Sequence, residues 1–299
     1  MKYIVSGDQH LRPDLPLCRT ESEEDWKTFQ RDRLDEIVSI ANKHKADIAF
    51  TGDTLDVPRV PSEIVAMLIL ALQNLQGIAH FISGNHEKQY RREANVETSS
   101  IGIIKALAGD NTGKTRYYVS DENVAGNRFE HSYRLNDEIT LIHTLSFPSE
   151  DDVPFGAEAS TPEELFAKYD TKYLFVGDCH LAFHVEQDGR HIISSGCMDA
   201  QTVREMDYEP SVYLVDTTTD KVERIKLFHD PALCTKQHVV AKHERDASME
   251  AAMKAFEEVG EIGSLDYKAN LMVYLQNHKV SVGVQDIISE AGGQNGSVD

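Results

Sequence analysis

The chain has 299 residues, 40% apolar and 27% charged, enough to bury a sizeable core in one large domain or a domain with a small appendage. No apolar run reaches the roughly 18–20 residues that span a bilayer, and residues 3–5 are too short for a secretory h-region; a cytoplasmic protein with no membrane partner is expected. Cys18, Cys179, Cys197 and Cys234 are widely spaced and form no C-x-x-C pair, which excludes a zinc ribbon and argues against a disulfide scaffold. With 30 Lys and Arg against 50 Asp and Glu, the net charge is −20. That repels nucleic acid at long range and speaks against a generic basic DNA binder. It leaves a nuclease open, because divalent ions add local positive charge and acidic clusters are what hard cations need.

Short apolar runs that stop at small or polar residues predict buried strands. Residues 3–5 end in Ser6-Gly7-Asp8-Gln9-His10, and 47–50 end in Thr51-Gly52-Asp53. Residues 78–82 end in Ser83-Gly84-Asn85-His86-Glu87, 139–142 end in His143, and 173–176 end in Gly177-Asp178-Cys179-His180. Helices are predicted between them. Over 23–43 the residues Trp26, Phe29, Leu34, Ile37, Val38 and Ala41 form one apolar face. A more buried helix opens at Pro61-Ser62 and stops near Gly77, and a third covers 99–107. Thr161-Pro162-Glu163-Glu164 is a capping-type helix start.

Strands alternating with helices indicate an α/β sheet. Past residue 180, segments 191–194, 211–216 and 222–228 read as consecutive strands completing a second sheet. The expected architecture is a two-sheet sandwich flanked by helices over 1–230. A small α/β appendage follows over 231–291, with strands at 235–241 and 269–276 and helices at 247–259 and 284–291, and a loose tail covers 292–299.

In α/β sheets functional groups collect beyond the carboxyl ends of strands. Here those ends carry Asp8, His10, Asp53, Asn85, His86, His143, Asp178 and His180. One Gly-Asp at a strand end is a tight turn; five successive ends bearing metal-type or acid–base groups are hard to ascribe to turns. Imidazole and carboxylate without thiolate suit manganese, iron or zinc better than calcium. So many donors exceed the needs of one ion, and two ions sharing a carboxylate are the economical arrangement.

The blocks Gly7-Asp8-Gln9-His10, Gly52-Asp53-Thr54-Leu55-Asp56, Gly84-Asn85-His86-Glu87, Ile142-His143-Thr144 and Gly177-Asp178-Cys179-His180 resemble, in order and spacing over residues 1–228, the five signature blocks of calcineurin-like metallophosphoesterases. The resemblance implies the four-layer αββα fold and two divalent ions, manganese first, with magnesium, iron and zinc as alternatives. By motif, Asp8, His10 and His180 would hold the first ion and Asn85 and His143 the second, with Asp53 bridging. His86 would stabilise the transition state or protonate the leaving oxygen. His143 also reads as a plain strand-end histidine. The last block departs from the usual Gly-His-x-His, so Asp178 stands where a histidine binds the second ion. As an oxygen ligand it would favour harder ions or weaken that site, with His184 either compensating or serving as a strand histidine. Asp56 and Glu87 either orient ligands or are solvated carboxylates. Lys88, Arg91 and Arg92 are candidates for DNA-backbone contact or an ordinary charged helix start.

Within that superfamily, residues 52–56, and Ser194-Ser195-Gly196-Cys197-Met198 followed by 211–216, are similar to the SbcD-type double-strand-break-repair nuclease subunit, phage recombination endonucleases included. This implies a DNA nuclease acting through a metal-bridging hydroxide, with DNA, an SbcC-type ATPase and a second copy of the chain as partners, in a bacterial or phage-infected cell. The alternatives are a phosphodiesterase or phosphatase for small esters, or a catalytically impaired subunit that binds DNA or a partner. No Walker-type G-x-x-x-x-G-K-[ST] loop occurs.

Overall fold

The computed structural model describes residues 1–88, 93–108, 115–117 and 131–258, and beyond them 271, 273–275, 277–278, 280–284 and 287. The chain divides into two compact units, Met1–Thr235 and Lys236–Asp299. In chain order the strands are β1 (Lys2–Ser6), β2 (Asp47–Phe50), β3 (Ala79–Phe81), β4 (Thr115–Tyr117), β5 (His131–Arg134), β6 (Ile139–His143), β7 (Tyr173–Gly177), β8 (Ala182–Gln187), β9 (Arg190–Ser195), β10 (Ser211–Asp216) and β11 (Lys221–Lys226). The helices are α1 (Glu23–His44), α2 (Ser62–Gln73), α3 (Ile101–Ala108), α4 (Pro162–Lys168) and α5 (Gln237–Glu258).

Two mixed sheets form the first unit, ordered β11-β10-β1-β2-β3-β4 and β5-β6-β7-β9-β8. The expected two-sheet sandwich is therefore present. Strands β1 to β4 pair in parallel, as do β6, β7 and β9, so their carboxyl ends lie together along each sheet. Side chains alternate between faces along a strand, and the core follows that alternation. Tyr3 and Val5 of the first sheet pack against Ile139, Leu141, Phe175 and Ile193 of the second. Ile4, Ile48 and Phe50 turn outward against Leu34, Ile37, Leu68 and Ile104 of α1, α2 and α3. On the other side Leu174, Val176 and Ile192 meet Leu165 and Phe166 of α4.

The helix starts follow their caps. Ser22 accepts from the Asp25 N–H at 3.1 Å, and α1 ends on Lys45 in the left-handed region, φ 53°. Thr161 and Glu164 form the reciprocal capping box of α4, with bonds of 3.2 and 3.1 Å.

The structure corrects two expectations about strands. Segments 211–216 and 222–228 do not complete the second sheet; β10 pairs antiparallel with β1, and β11 with β10, in the first. A hairpin returning beside β1 reads in sequence like one continuing beside β9, because β10 is buried on both faces and β11 is mostly exposed, and neither pattern names the partner strand. The strand expected at 235–241 is helical, since α5 begins at Gln237. Around Val239 and Val240 the surrounding Ala, Glu, Lys and Met favour helix strongly enough to carry the β-branched pair along. At 269–276 the described residues 271 and 273–275 are also helical. Among the described residues of 236–299 there is no strand, which corrects the α/β reading of the appendage. The tail at 292–299 lies outside the described residues. None of the described helices is long and apolar enough to cross a membrane.

Candidate metal centre

The turns beyond β1, β2 and β7 are held in an uncommon conformation. Asp8 (φ 51°), His10 (φ 45°), Asp53 (φ 50°) and Asp178 (φ 79°) all have positive φ. Non-glycine residues rarely adopt such angles, and they persist where surrounding structure over-determines them. That determination is visible. The Asp8 N–H donates to the Gly52 carbonyl at 3.2 Å, and His10 N–H to the Asp53 carbonyl at 2.9 Å. Asp178 N–H donates to both Asp8 oxygens, at 3.0 and 3.2 Å. Gly52 (φ 101°) can carry no side chain, because a Cβ would lie 2.8 Å from His143 Cγ; at Gly84 it would lie 2.6 Å from Asp53 Cγ.

These turns bring all eight strand-end residues to one place. His10 Nε2 is 3.2 Å from His180 Nε2 and 4.0 Å from Asp53 Oδ2. His143 Nε2 is 3.5 Å from the same Asp53 oxygen and 3.6 Å from Asp178 Oδ1. The Asn85 amide donates to Asp178 at 3.4 Å. Three donor groups of metal-binding type overlap around Asp53, Asp8 with His10 and His180, Asp8 with Asp53 and His143, and His10 with Asp53 and His86. Asp53 therefore stands between an Asp8–His10–His180 set and a His143–Asp178–Asn85 set.

The hydrogen bonds behind the histidines fix their tautomers. A backbone carbonyl only accepts, so His143 Nδ1, 2.9 Å from the Thr51 carbonyl, carries the hydrogen and turns Nε2 toward the carboxylates. His86 Nδ1 likewise donates to the Asp56 carbonyl at 2.7 Å, leaving Nε2 without that bond on a side chain 46% exposed. His10 Nδ1 is 3.2 Å from Asp56 Oδ1, and His180 Nδ1 is 2.6 Å from Glu205 Oε1. A carboxylate on the far ring nitrogen is the usual support of a metal-binding imidazole.

The charges are unbalanced without cations. Burial, against the pull of His180 and His143, raises the Asp8 carboxyl to about 7. Burial would also raise Asp53, but His143, His10 and His86 hold it well below the usual carboxylate range. Burial lowers His10. It would lower His143 and His180 too, yet Asp53, Asp178 and Asp8 raise His143 to about 10. The bond to Glu205 and the Asp8 charge raise His180 to about 9. Protons held on imidazoles meet a demand for positive charge that a divalent ion also meets. The donor set fits such an ion, and so does the buried Asn85 Oδ1, an acceptor that has no hydrogen-bond partner.

Other expectations resolve against the structure. Asp56 and Glu87 are structural supports here. Asp56 holds His10 and lies 3.3 Å from Arg12, and fully buried Glu87 accepts from Gly84 N–H at 2.8 Å and Leu55 N–H at 3.0 Å. His184 stays away from the cluster; its Nε2 is 3.0 Å from His191 Nδ1 on the neighbouring strand. Lys88 is 2% exposed, too buried for the expected contact with a DNA backbone. Arg91 and Arg92 lie outside the described residues. Glu205 carries no sequence signal of its role, and Ser195 stands out in the sequence only as part of the Ser194–Met198 segment, not as a support of the centre. Ser195 Oγ accepts from Gly7 N–H at 2.7 Å, and Glu205 lies 25 residues from the histidine it supports. The Thr202-x-x-Glu205 spacing signals a capping box, which is present, but not the reach to His180.

No family model and no curated protein sequence matches the chain. Among solved structures it is similar to an archaeal phosphodiesterase, at 13% identity over 76% of this chain and 100% of that one, TM-score 0.43. It is also similar to zinc-bound Vps29 from Entamoeba histolytica, at 14% identity over 76% and 99%, TM-score 0.37. A hypothetical protein from Pyrococcus horikoshii gives 10% identity over 95% and 97%, TM-score 0.40. At such identities the site is read from its own geometry.

Proposed function

We propose that the chain is a metal-dependent phosphodiesterase of the calcineurin-like metallophosphoesterase type. The observation that carries this reading is the position of Asp53, its Oδ2 within reach of both His10 Nε2, at 4.0 Å, and His143 Nε2, at 3.5 Å. Asp8, His10 and His180 would hold one divalent ion, Asn85, His143 and Asp178 a second, and Asp53 both. Asp178 adds an oxygen where an imidazole is usual in the resembled family, which favours manganese or magnesium. When bound, such a pair supplies Lewis-acid polarisation of the phosphoryl oxygens and lowers the pKa of coordinated water.

The chain's own residues do the rest. Asp56 and Glu205 hold the His10 and His180 rings, and Thr51 holds His143. His86 has its Nδ1 hydrogen tied to the Asp56 carbonyl, so Nε2 is the nitrogen left for acid–base work: as the imidazolium, protonated on both nitrogens, the ring would give its Nε2 proton to the departing ester oxygen and remain as the neutral Nδ1–H form. The ring stands edge-on to His10, centroids 4.7 Å apart; it can join His10 and Asp53 as a donor, and the resembled family gives it the acid–base role rather than that of a ligand.

Manganese-dependent hydrolysis of a chromogenic phosphodiester is expected. His86→Ala should lower kcat by about 10²–10⁴-fold with metal stoichiometry unchanged. Absence of turnover of any phosphodiester or monoester with manganese, magnesium, iron or zinc would refute the reading. DNA as the diester is the second reading, favoured by the resemblance of residues 52–56 and 194–198 to the SbcD-type nuclease subunit. An SbcC-type ATPase and a second copy of the chain are the partners proposed with it. Parallel assays on single- and double-stranded DNA separate the two: cleavage of DNA over small diesters supports the nuclease, and the reverse preference supports a small-ester enzyme.

A further inference from the structure

A second cluster of metal-binding type lies at the opposite end of the second sheet. Strands β8 and β9 form a hairpin turning at Asp188 (φ 53°) and Gly189 (φ 71°). Its register sets Glu186 opposite His191 and His184 opposite Ile193, so His184, Glu186 and His191 share one face. His191 opens β9 beside Tyr173, the first residue of β7, whereas the candidate centre lies beyond the last residue of β7. His184 Nε2 is 3.0 Å from His191 Nδ1, and Glu186 Oε2 is 4.0 Å from that same nitrogen. One donor atom from each residue lies within 4.8 Å of the other two.

The support behind His191 is the independent observation. Its Nε2 is 3.2 Å from Asp220 Oδ1, on the turn between β10 and β11. Asp220 also accepts from the Tyr173 hydroxyl and pairs with Lys172 Nζ at 2.8 Å; these two bonds hold its carboxyl down to about 2. An ionised carboxylate only accepts, so His191 carries its hydrogen on Nε2 and presents the Nδ1 lone pair to His184. Tyr173 stacks on the His191 ring at 5.1 Å and fixes its plane. Carboxylate behind imidazole, with the free nitrogen aimed at further donors, is the arrangement that orients a metal ligand. Burial and the neighbouring His191 keep His184 below the ordinary histidine value, so it is a neutral ligand at pH 7.

We propose that His184 Nε2, His191 Nδ1 and the Glu186 carboxylate bind one divalent transition-metal ion of the zinc class, separate from the phosphoester centre, with Asp220 as the positioning residue. Two imidazoles and one carboxylate suit zinc, and the exposed edge strand leaves the fourth position to solvent. In the metal-free chain His184 donates its Nε2 hydrogen to His191; on binding, His184 carries that hydrogen on Nδ1, and no net proton is released. The ion would clip edge strand β8 to β9. The inference stands apart from the phosphoester reading, since none of its residues belongs to that centre.

The test is zinc titration of the full chain against a chromogenic chelator, comparing wild type with His184→Ala, Glu186→Gln and Asp220→Asn. Wild type should bind one more equivalent than His184→Ala, however many ions the other centre takes. Glu186→Gln and Asp220→Asn should keep that equivalent with about 10–100-fold weaker affinity. Imidazole nitrogen shifts should move at His184 and His191 on adding zinc. His184 is exposed on an edge strand, so its alanine variant keeps the fold even if a His191 variant does not. Equal stoichiometry in wild type and His184→Ala, or unmoved His184 and His191 shifts under saturating zinc, would overturn the proposal.

Discussion

Asp53 Oδ2 lies 3.5 Å from His143 Nε2 and 4.0 Å from His10 Nε2, while its Oδ1 accepts from the His86 N–H at 2.9 Å. One carboxylate thus fixes the turn that carries His86 and faces both donor sets. The imidazoles around it are oriented by groups that touch no reacting atom, and Glu205 is the most testable of these. It is 6% exposed and accepts from Gln201 N–H at 2.7 Å and Thr202 N–H at 2.9 Å as well as meeting His180. Glu205→Gln keeps the shape and removes the charge. Metal affinity should fall about 10–100-fold, with a smaller loss of kcat at saturating manganese; calorimetric titration of the metal-free protein measures it. Unchanged affinity would mean that His180 needs no carboxylate behind it. At this scale the strand-end donors were legible because each follows an apolar run directly. Glu205 was not, because its role depends on a chain reversal that brings residue 205 beside 180, and nothing local records that.

Strand-to-turn junctions set the electrostatics of the centre. Without metal, His143 and His180 are raised to about 10 and about 9 by neighbouring carboxylates. The folded state keeps those protons after the unfolded chain has released them, so their stabilisation is full below about pH 6.5 and is lost as pH rises through 9 to 10. Asp8 and Glu87, raised by burial to about 7, act in the same sense: a cost appears as pH climbs from about 4 through 7. The chelated protein should therefore melt lower at about pH 9 than at about pH 6, and manganese should raise Tm more at the higher pH. A chelated Tm that rises across this window would contradict the charge balance drawn here. A second junction ties α1 to the loop after β9, where Arg33 meets buried Asp199 at 3.1 Å and Glu36 at 2.6 Å. Burial raises Asp199 to about 6 against the pull of Arg33. Arg33→Met should cost about 3–5 kcal/mol at pH 8 and less at pH 5, where Asp199 accepts a proton; urea unfolding at both pH values checks it. Helices α1 and α4 were legible through apolar spacing and caps. Strand β8 was not: its Ala-Phe-His-Val-Glu-Gln is an edge strand with half its side chains in water, and only the Asp188-Gly189 turn marks it.

Over the whole molecule, the two sheets converge their carboxyl ends on one acidic centre inside a chain of net charge −20. The sandwich was legible because alternating apolar residues must be buried on both faces of each sheet. Which sheet receives β10 and β11 was not, since register with β1 is a long-range choice. The charge, by contrast, is fixed by composition and has a kinetic consequence. Basic nucleic-acid enzymes lose affinity as salt rises, because counterions compete for the phosphates. Here the net charge of −20 repels a polyanion at long range, and the attraction that the proposed function invokes would come from ions held around Asp53. Salt screens the distant repulsion more than that contact, because the Debye length falls toward 8 Å at physiological ionic strength. Raising salt from about 50 to about 200 mM should therefore leave kcat/KM for a small phosphodiester nearly unchanged and raise it about twofold for a short oligonucleotide. Initial rates under subsaturating substrate measure both. A steep fall for the oligonucleotide would instead reveal a basic track on this chain strong enough to override its net charge, and would move the balance toward DNA as the natural diester.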